Sequence, residues 1–442
     1  MTLKIRKTDD PILRQSTEQV TDFDDIDFQK LVDDMVETMR KENGIGLAAP
    51  QVGSTRKVLV CEYKGDKEEN ISVVPLTVLC NPEIVHTSAE EINMVEGCLS
   101  FPGLEILVKR PKKIKVKGQD RYGNNLQFEA DKLYSRVLQH EIDHLNSTLL
   151  IDRMQKIDLI FIGSGTLGVP ALSMLAIDPQ YEIKMVVTGI AEAKSRNHKK
   201  LVNPIEEKAK ELGLPILRTK DINNEKVVAE LDSLKPTVAV MADFGQILSG
   251  EILSLPKLGI INIHPSLLPK HRGPSPIQQT ILDGDKFTGV TLIRANEKMD
   301  EGGIISQVKV ELNNTENATI LKKYLAEIAA NLLLNSLPYY IAGDLEPVPQ
   351  DSAGVSYNKL FKKSDGLVDK DTSPLIVERK MRAFSDWPKV FTLINGKRIQ
   401  LLTGHFDTDG ELIIDLVKPE GKKEMTYDDF VRGYHTKLTF HG

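Results

Sequence analysis

Ile157-Asp158-Leu159-Ile160-Phe161-Ile162-Gly163 reads as a buried β-strand, and Ser164-Gly165-Thr166-Leu167-Gly168 after it as a glycine turn that opens a helix. A short run that is apolar throughout and ends in glycine fits a strand covered on both faces, as in a parallel sheet. Similar runs follow at 186–188, 238–242 and 260–263, with helix-like stretches between them. Strands that alternate with helices predict an α/β domain built on a parallel sheet. Further on, the stretch 343–352 contains Pro347 and Pro349, and beyond it the pattern turns strand-rich at 390–394, 399–402 and 412–416. Ahead of Lys156 the character differs. Phe28, Leu31, Val32, Met35, Val36 and Met39 recur at helical spacing, strand-like runs lie around 58–60, 73–79 and 114–116, and a second helical pattern covers 133–145. That mixture predicts an α+β domain. The changes of pattern divide the chain at 1–155, 156–350 and 351–442, with almost no linker at the first join.

A chain of 442 residues suits two or three domains, and 40% hydrophobic with 27% charged residues is a globular balance. No apolar run approaches the roughly 20 residues that span a bilayer. Met1-Thr2-Leu3-Lys4-Ile5-Arg6 runs into Asp9 and Asp10 without the apolar core of a signal peptide, so a cytoplasmic protein with no membrane partner is expected. Three cysteines make a poor disulfide framework. Cys61 and Cys80 sit in apolar, strand-like runs and read as small core residues. Cys98, among Glu96, Gly97 and Ser100, needs another account. A net charge of −6, from 57 basic and 63 acidic residues, argues against a general nucleic-acid coat but leaves room for a local basic face.

His140-Glu141-Ile142-Asp143-His144 is an HExxH pattern. Positions four apart share a helix face, so both imidazoles can bind one metal, with Glu141 beside it to take a proton from water. The plain alternative is a charged helix with two incidental histidines. A metal hydrolase needs a third protein ligand. No downstream Glu or His offers itself in the usual pattern, and Cys98 supplies a thiolate upstream.

Three motifs, Gly44-Ile45-Gly46-Leu47-Ala48-Ala49-Pro50-Gln51, Glu96-Gly97-Cys98-Leu99-Ser100 and the segment 140–145, resemble those of peptide deformylases in order and spacing, over roughly residues 1–154. The resemblance implies that Cys98, His140 and His144 hold a divalent metal, often Fe²⁺ in that family and replaceable by zinc or nickel. It makes Glu141 the general base and acid, with the Gln51 amide and the Leu99 N–H as oxyanion donors. Gly46 would admit a close substrate backbone, and Arg110 would act near the metal-site carboxylates. The substrates would be nascent formyl-methionyl peptides at the ribosome. Ser147 departs from a glycine common after the HExxH helix, and the C-terminal helix that often follows is absent. A zinc peptidase is the rival for this half.

In the second half, Asn262-Ile263-His264-Pro265-Ser266-Leu267-Leu268-Pro269 begins at the end of an expected strand, where α/β sheets place active sites. Asn262 and His264, two apart on an extended segment, point the same way. His264 can relay a proton, Asn262 can hold an oxyanion, and Asp300 can orient the imidazole if the fold brings it there. The turn 163–168 has GxGxxG spacing, a weak nucleotide signal alone, and no acidic residue stands at a clean ribose position, so a nicotinamide cofactor is discounted.

The region resembles the folate-dependent formyltransferases, whose catalytic trio matches Asn262, His264 and Asp300. This implies a Rossmann-like domain that takes formyl from 10-formyltetrahydrofolate, with Ser266, Leu267, Leu268 and Pro269 as substrate-binding positions. The segments 271–278, 359–369, 382–388 and 418–425 are similar to the methionyl-tRNA branch. That branch implies methionyl-initiator tRNA as acceptor and a C-terminal domain with an OB-like β-barrel. Lys194, Arg196, Lys199 and Lys200 form a basic run whose Arg196 matches a tRNA-contacting position. Gly303 and Lys370 stand where the family often has Asp and Trp, and the C-terminal domain looks short by several strands. Rivals for this half are another amine acceptor, hydrolysis of the formyl donor, and a non-catalytic tRNA or ribosome tether.

Overall fold

The structure is a computed structural model that describes residues 1–65, 73–190 and 203–441. They form two compact units, Met1–Lys156 with Pro338–Asp344, and Ile157–Leu337 with Leu345–Gly442. No helix among the described residues is long and apolar enough to cross a membrane.

In the first unit, helix α1 (Ile26–Lys41) begins where the Asp25 side chain accepts the Asp27 N–H, and basic residues occupy its last turn. Strands β1 (Gly46–Ala48), β2 (Val58–Tyr63), β3 (Val74–Thr87), β4 (Glu91–Cys98), β5 (Phe101–Pro111), β6 (Lys113–Gln119) and β7 (Asn125–Asp131) follow, and then helix α2 (Lys132–Leu145). The sheet runs β1-β2-β3-β6-β7, while β4 and β5 form a separate two-stranded ribbon. Strand β2 shows why its run is apolar throughout. Val58 and Val60 join the core of α1 with Phe28 and Met35, and Leu59 and Cys61 join the core of α2 with Leu138 and Ile142. The sheet is covered on both faces. Burial pushes the Cys61 and Cys80 thiols up to about 12, so both are neutral core residues. The β4–β5 ribbon was not foreseen; its strands carry charged and apolar residues without a clear period.

In the second unit, β8 (Ile157–Gly163), α3 (Val169–Ile177), β9 (Tyr181–Gly189), α4 (Pro204–Glu211), β10 (Ile216–Thr219), α5 (Glu225–Ser233), β11 (Val238–Ala242), α6 (Gly250–Ser254) and β12 (Ile260–His264) alternate as expected. They are followed by α7 (Pro276–Asp283), β13 (Phe287–Arg294), β14 (Gly303–Glu311) and the long helix α8 (Ala318–Ala342). The sheet order is β10-β9-β8-β11-β12-β13-β14. The first five strands are parallel, and the order reverses between β8 and β11, the switch point where such sheets open a crevice. The expectation of a parallel sheet fails at β13 and β14, which are antiparallel, so the sheet is mixed. Thr291 of β13 pairs with His264, the last residue of β12. Residues 265–286 therefore stay at the carboxyl end of the sheet, and β13 has to return in the opposite direction.

Helix α9 (Pro374–Ala383), strands β15 (Val390–Ile394), β16 (Lys397–Phe406), β17 (Leu412–Pro419) and β18 (Met425–Thr426), and helix α10 (Tyr427–Tyr434) complete the chain. The strands form an open antiparallel sheet in sequence order, not the expected barrel. An OB-type barrel closes with about five strands; four, one of them only two residues long, leave both edges open.

After α2, Ser147 takes the left-handed conformation, φ 60°, and lets the Thr148 N–H reach back to the Asp143 carbonyl at 2.9 Å. The left-handed region costs a side-chain-bearing residue about 1–2 kcal/mol, and the bond from Ser147 Oγ to the Gln15 carbonyl, 2.8 Å, offsets part of that. Ser147→Ala keeps the strain and loses the bond, whereas Ser147→Gly relieves the strain. The glycine variant is expected to exceed the alanine variant by about 1–2 kcal/mol in the first urea transition. Equal midpoints would refute the strain.

Candidate active sites

Helix α2 carries His140, Glu141 and His144, and the end of β4 carries Cys98. Cys98 Sγ is 3.2 Å from His144 Nε2, and the ligand atoms of Cys98, His140 and His144 all lie within 4.8 Å of one another. Two imidazoles and a thiolate so placed suit a divalent transition metal, with three protein ligands leaving room for substrate or solvent. Glu96 prepares the set, since its Oε2 is 2.9 Å from His140 Nδ1. A ring N–H donated there leaves the Nε2 lone pair for a metal.

The charges around Glu96 are balanced within the fold. Arg110 donates to its two oxygens at 2.7 and 3.0 Å and to Asp143 at 2.6 Å. Arg136 adds a bond of 2.7 Å to Glu96, and Arg153 holds Asp143 at 2.6 and 3.0 Å. Burial opposes ionisation of Glu96, but His140 and Arg110 outweigh it and hold the carboxyl well below the usual carboxylate range.

Glu141 is 4% exposed. Burial, opposed by His140 and reinforced by Glu96, pushes its carboxyl up to about 7. Its Oε2 is buried without a hydrogen-bond partner, which marks where a water or a substrate group would bond. The Gln51 amide is fixed by the Ala48 N–H on Oε1, 2.8 Å. That turns Nε2 toward Cys98 Sγ at 3.5 Å and Ser100 Oγ at 3.4 Å. Leu99 lies between those two residues, its carbonyl held by Lys7 Nζ at 2.9 Å. At Gly46 an added Cβ would sit 2.3 Å from Glu141 Oε1. Glycine there makes room for the Glu141 carboxyl group, a reason beyond the close substrate backbone expected from sequence.

In the second unit a cavity of about 520 Å³ opens at the carboxyl ends of β11 and β12, lined by Met241, Asn262, His264, Ile293 and Asp300 among others. Its size suits a small-molecule ligand. Asn262 Nδ2 donates to Asp300 Oδ1 at 3.2 Å. His264 Nδ1 lies 3.4 Å from the same oxygen, and its Nε2 is 3.0 Å from the His271 carbonyl. The Gly273 N–H donates to Asp300 Oδ2, 2.8 Å. Burial works against ionisation of Asp300, but the hydrogen bond and charge of His264 outweigh it, and its pKa falls below the ordinary value.

The structure thus brings together Cys98, His140, His144, Glu141 and Gln51, and separately Asn262, His264 and Asp300. It does not bring Ser266, Leu267, Leu268 or Pro269 to the cavity wall. Ser266 is fully buried and donates to the Lys270 carbonyl, 2.7 Å, and the Leu268 N–H donates to Thr291 Oγ1, 3.2 Å. These bonds shape the loop after β12. Arg196, with Lys194, Lys199 and Lys200, lies outside the described residues. Sequence reasoning passed over Arg136 and Asp143. A signal existed, because Arg136, His140 and Asp143 fall at helical spacing and all are buried.

The family model described as Polypeptide deformylase matches residues 2–159. The models for Formyl transferase and for its C-terminal domain match 157–337 and 360–411. A methionyl-tRNA formyltransferase of Roseiflexus castenholzii is 35% identical over 298 residues, covering 62% of this chain and 95% of that protein. One from Bacillus subtilis is 32% identical, covering 63% of this chain and 95% of its own length. A crystal structure of peptide deformylase from Thermotoga maritima is 40% identical over 35% of this chain and 97% of its own, with a TM-score of 0.31.

Removing one partner from a buried ionic cluster leaves the others uncompensated. Glu96→Ala leaves Arg136 without a carboxylate and Arg110 with Asp143 alone, and is expected to lower stability by about 3–5 kcal/mol and metal affinity by about 10–100-fold. Urea unfolding and metal analysis of the dialysed protein check this. A variant as stable and as metal-rich as the parent would overturn it.

Proposed function

We propose, from the premise that this chain belongs to the methionyl-tRNA formyltransferase family and carries a polypeptide deformylase domain ahead of it, a division of labour in which 1–155 deformylates, 156–350 transfers formyl and 351–442 assists with tRNA. The chain is a bifunctional enzyme of the formyl-methionine cycle. The observation that carries the second activity is the convergence of Asn262, His264 and Asp300 at the wall of one cavity of about 520 Å³.

In the first unit Cys98, His140 and His144 would hold the metal, with Fe²⁺ the proposed ion and zinc or nickel able to replace it. When bound, the metal supplies Lewis acidity and a water acidic enough to ionise near neutrality. Glu141 takes a proton from the attacking water and returns it to the leaving amine, a role that suits a carboxyl held near 7. Gln51 Nε2 and the Leu99 N–H stabilise the oxyanion as the formyl carbon becomes tetrahedral. The carbon–nitrogen bond breaks, and formate and the free α-amine leave. The proposed substrates are nascent formyl-methionyl peptides at the ribosome, and both reactions are placed in the cytoplasm.

In the second unit the α-amine of methionyl-initiator tRNA attacks the formyl carbon of 10-formyltetrahydrofolate. A carbon–nitrogen bond forms to the amine, the bond to N10 breaks, and the proton lost by the amine is passed on to N10. One Asn262 amide hydrogen holds Asp300, and the second is left for the oxyanion. Asp300, kept ionised, stabilises positive charge on His264 as the proton moves. Arg196 and the open four-stranded sheet are proposed tRNA contacts.

Purified chain given 10-formyltetrahydrofolate and methionyl-initiator tRNA is expected to form formyl-methionyl-tRNA. His264→Ala should lose that product while still deformylating a formyl-methionyl peptide, and Cys98→Ala should do the reverse. The transfer rate should fall at low pH, where the amine is protonated. A rate that does not fall on acidification would refute attack by the free amine. No product from a chain that still deformylates would refute the second activity.

A further inference from the structure

Residues 350–358, between the catalytic sheet and helix α9, hold the trio of the second unit in place. We propose that Gln350 and Asn358 in this segment are positioning residues for formyl transfer. The inference rests on reading Asn262, His264 and Asp300 as the formyl-transfer site.

His264 leans on a backbone carbonyl as well as on the Asp300 carboxylate. Its Nε2 is 3.0 Å from the His271 oxygen, and the same oxygen accepts Asn358 Nδ2 at 2.9 Å. A carbonyl has two lone pairs, so the Asn358 amide fixes the direction of the one left to His264. Asn358 also accepts the Ser275 N–H on Oδ1, 2.6 Å, and its backbone N–H donates to the Arg272 carbonyl, 2.8 Å. Asn358 therefore ties down the loop 271–275 together with Ser356, whose Oγ accepts the His271 N–H and whose carbonyl accepts the Arg272 N–H, both at 2.9 Å. That loop needs tying, because His271 has φ 63° and Gly273 has φ 112°, conformations that persist only where the surroundings over-determine them. A Cβ at Gly273 would lie 2.6 Å from the Asn358 carbonyl oxygen, so the contact is close enough to demand glycine.

Gln350 does the same for Asp300. Asp300 is left-handed, φ 54°, and its carbonyl accepts Gln350 Nε2 at 2.7 Å while the Gly302 carbonyl accepts the same nitrogen at 2.8 Å. Gln350 Oε1 is gripped in turn by Arg272 Nε and Nη2, 3.0 and 2.8 Å. Arg272 belongs to the loop that Asn358 pins, and the Gly273 N–H next to it reaches Asp300 Oδ2 at 2.8 Å. The imidazole and the carboxylate are thus set by one closed network, to which Gln350 and Asn358 give the side-chain donors on the Asp300 and His271 carbonyls. Neither Gln350 nor Asn358 lines the cavity, so each acts through the trio and not on substrate. Donors placed for a transition state work only while their supports are rigid. The placement of 350–358, which leads into the C-terminal sheet, is thereby part of the catalytic geometry.

Gln350→Glu keeps the acceptor for Arg272 and removes the donor to Asp300; Asn358→Ala removes the donor to the His271 carbonyl. Both are made in the full-length chain and assayed for formylation of methionyl-initiator tRNA with 10-formyltetrahydrofolate, for deformylation of a formyl-methionyl peptide, and for melting temperature. A displaced catalytic group is expected to lower kcat by about 100-fold, with KM for the formyl donor, the melting temperature and deformylation kept. Parental kcat in both variants would overturn the inference. So would a loss of kcat that tracks a fall in melting temperature and a rise in KM, the pattern of a merely structural role. A parent chain that formylates no tRNA would instead overturn the reading of the trio, and this outcome is read on the parent alone.

Discussion

Glu96 is withdrawn from water with three hydrogen-bond donors around it: Arg110, Arg136 and His140. An isolated carboxylate at such depth would be expelled or neutralised, because desolvation costs several kcal/mol. Here the partners come from two other elements. Arg110 is on β5, Arg136 and His140 are on α2, and Glu96 itself is on β4. The ion pairs therefore fasten the β4–β5 ribbon, which is outside the main sheet, to the helix that carries the histidines. Cys98 is two residues beyond Glu96, so the bonds that satisfy the carboxylate also bring the thiol to the imidazoles. Electrostatic necessity and metal-site assembly are one event in this unit.

The second unit meets the same problem with Asp300 and solves it in another way. Among the described residues no arginine forks onto that carboxylate. The Gly273 N–H, the Asn262 amide and the His264 ring surround it, and the backbone turns left-handed at Asp300, His271 and Gly273 to make this possible. Two of these donors, the Gly273 N–H and the Asn262 amide, carry no charge, so the carboxylate is less compensated than Glu96. Glu96 is saturated by guanidinium groups and serves to orient; Asp300 is hydrogen-bonded but not neutralised by a direct ion pair with arginine, and can respond to His264.

Much of this was legible because it is local or periodic. The helical spacing of Phe28, Val32, Met35 and Met39 gave α1, the apolar runs gave β8, β11 and β12, and the four-residue spacing of His140 and His144 put both rings on one face of α2. The features that escaped depend on partners far along the chain. Glu96 and Arg110 were singled out by resemblance, but their pairing with Arg136 and Asp143 follows only once α2 is packed against the ribbon. The antiparallel return of β13 follows from where residues 265–286 lie, which periodicity does not encode. The expected barrel rested on resemblance, and the strand count is too small to close it. Gln350 and Asn358 are invisible because their partners are 50 and 87 residues away in the chain.

Each site is complete within its own unit. The metal cluster and its charge network draw on residues 96 to 153, and the formyl-transfer trio and its anchors on residues 262 to 358. Among the described residues no side chain is common to the two sets. The two reactions are also chemically opposed and separated in time, since a formyl group placed on initiator tRNA is removed only after a peptide has grown from it. Passing an intermediate directly between the sites would serve no purpose on that timescale. What the single chain does guarantee is equal numbers of the two activities, one adding formyl and the other removing it.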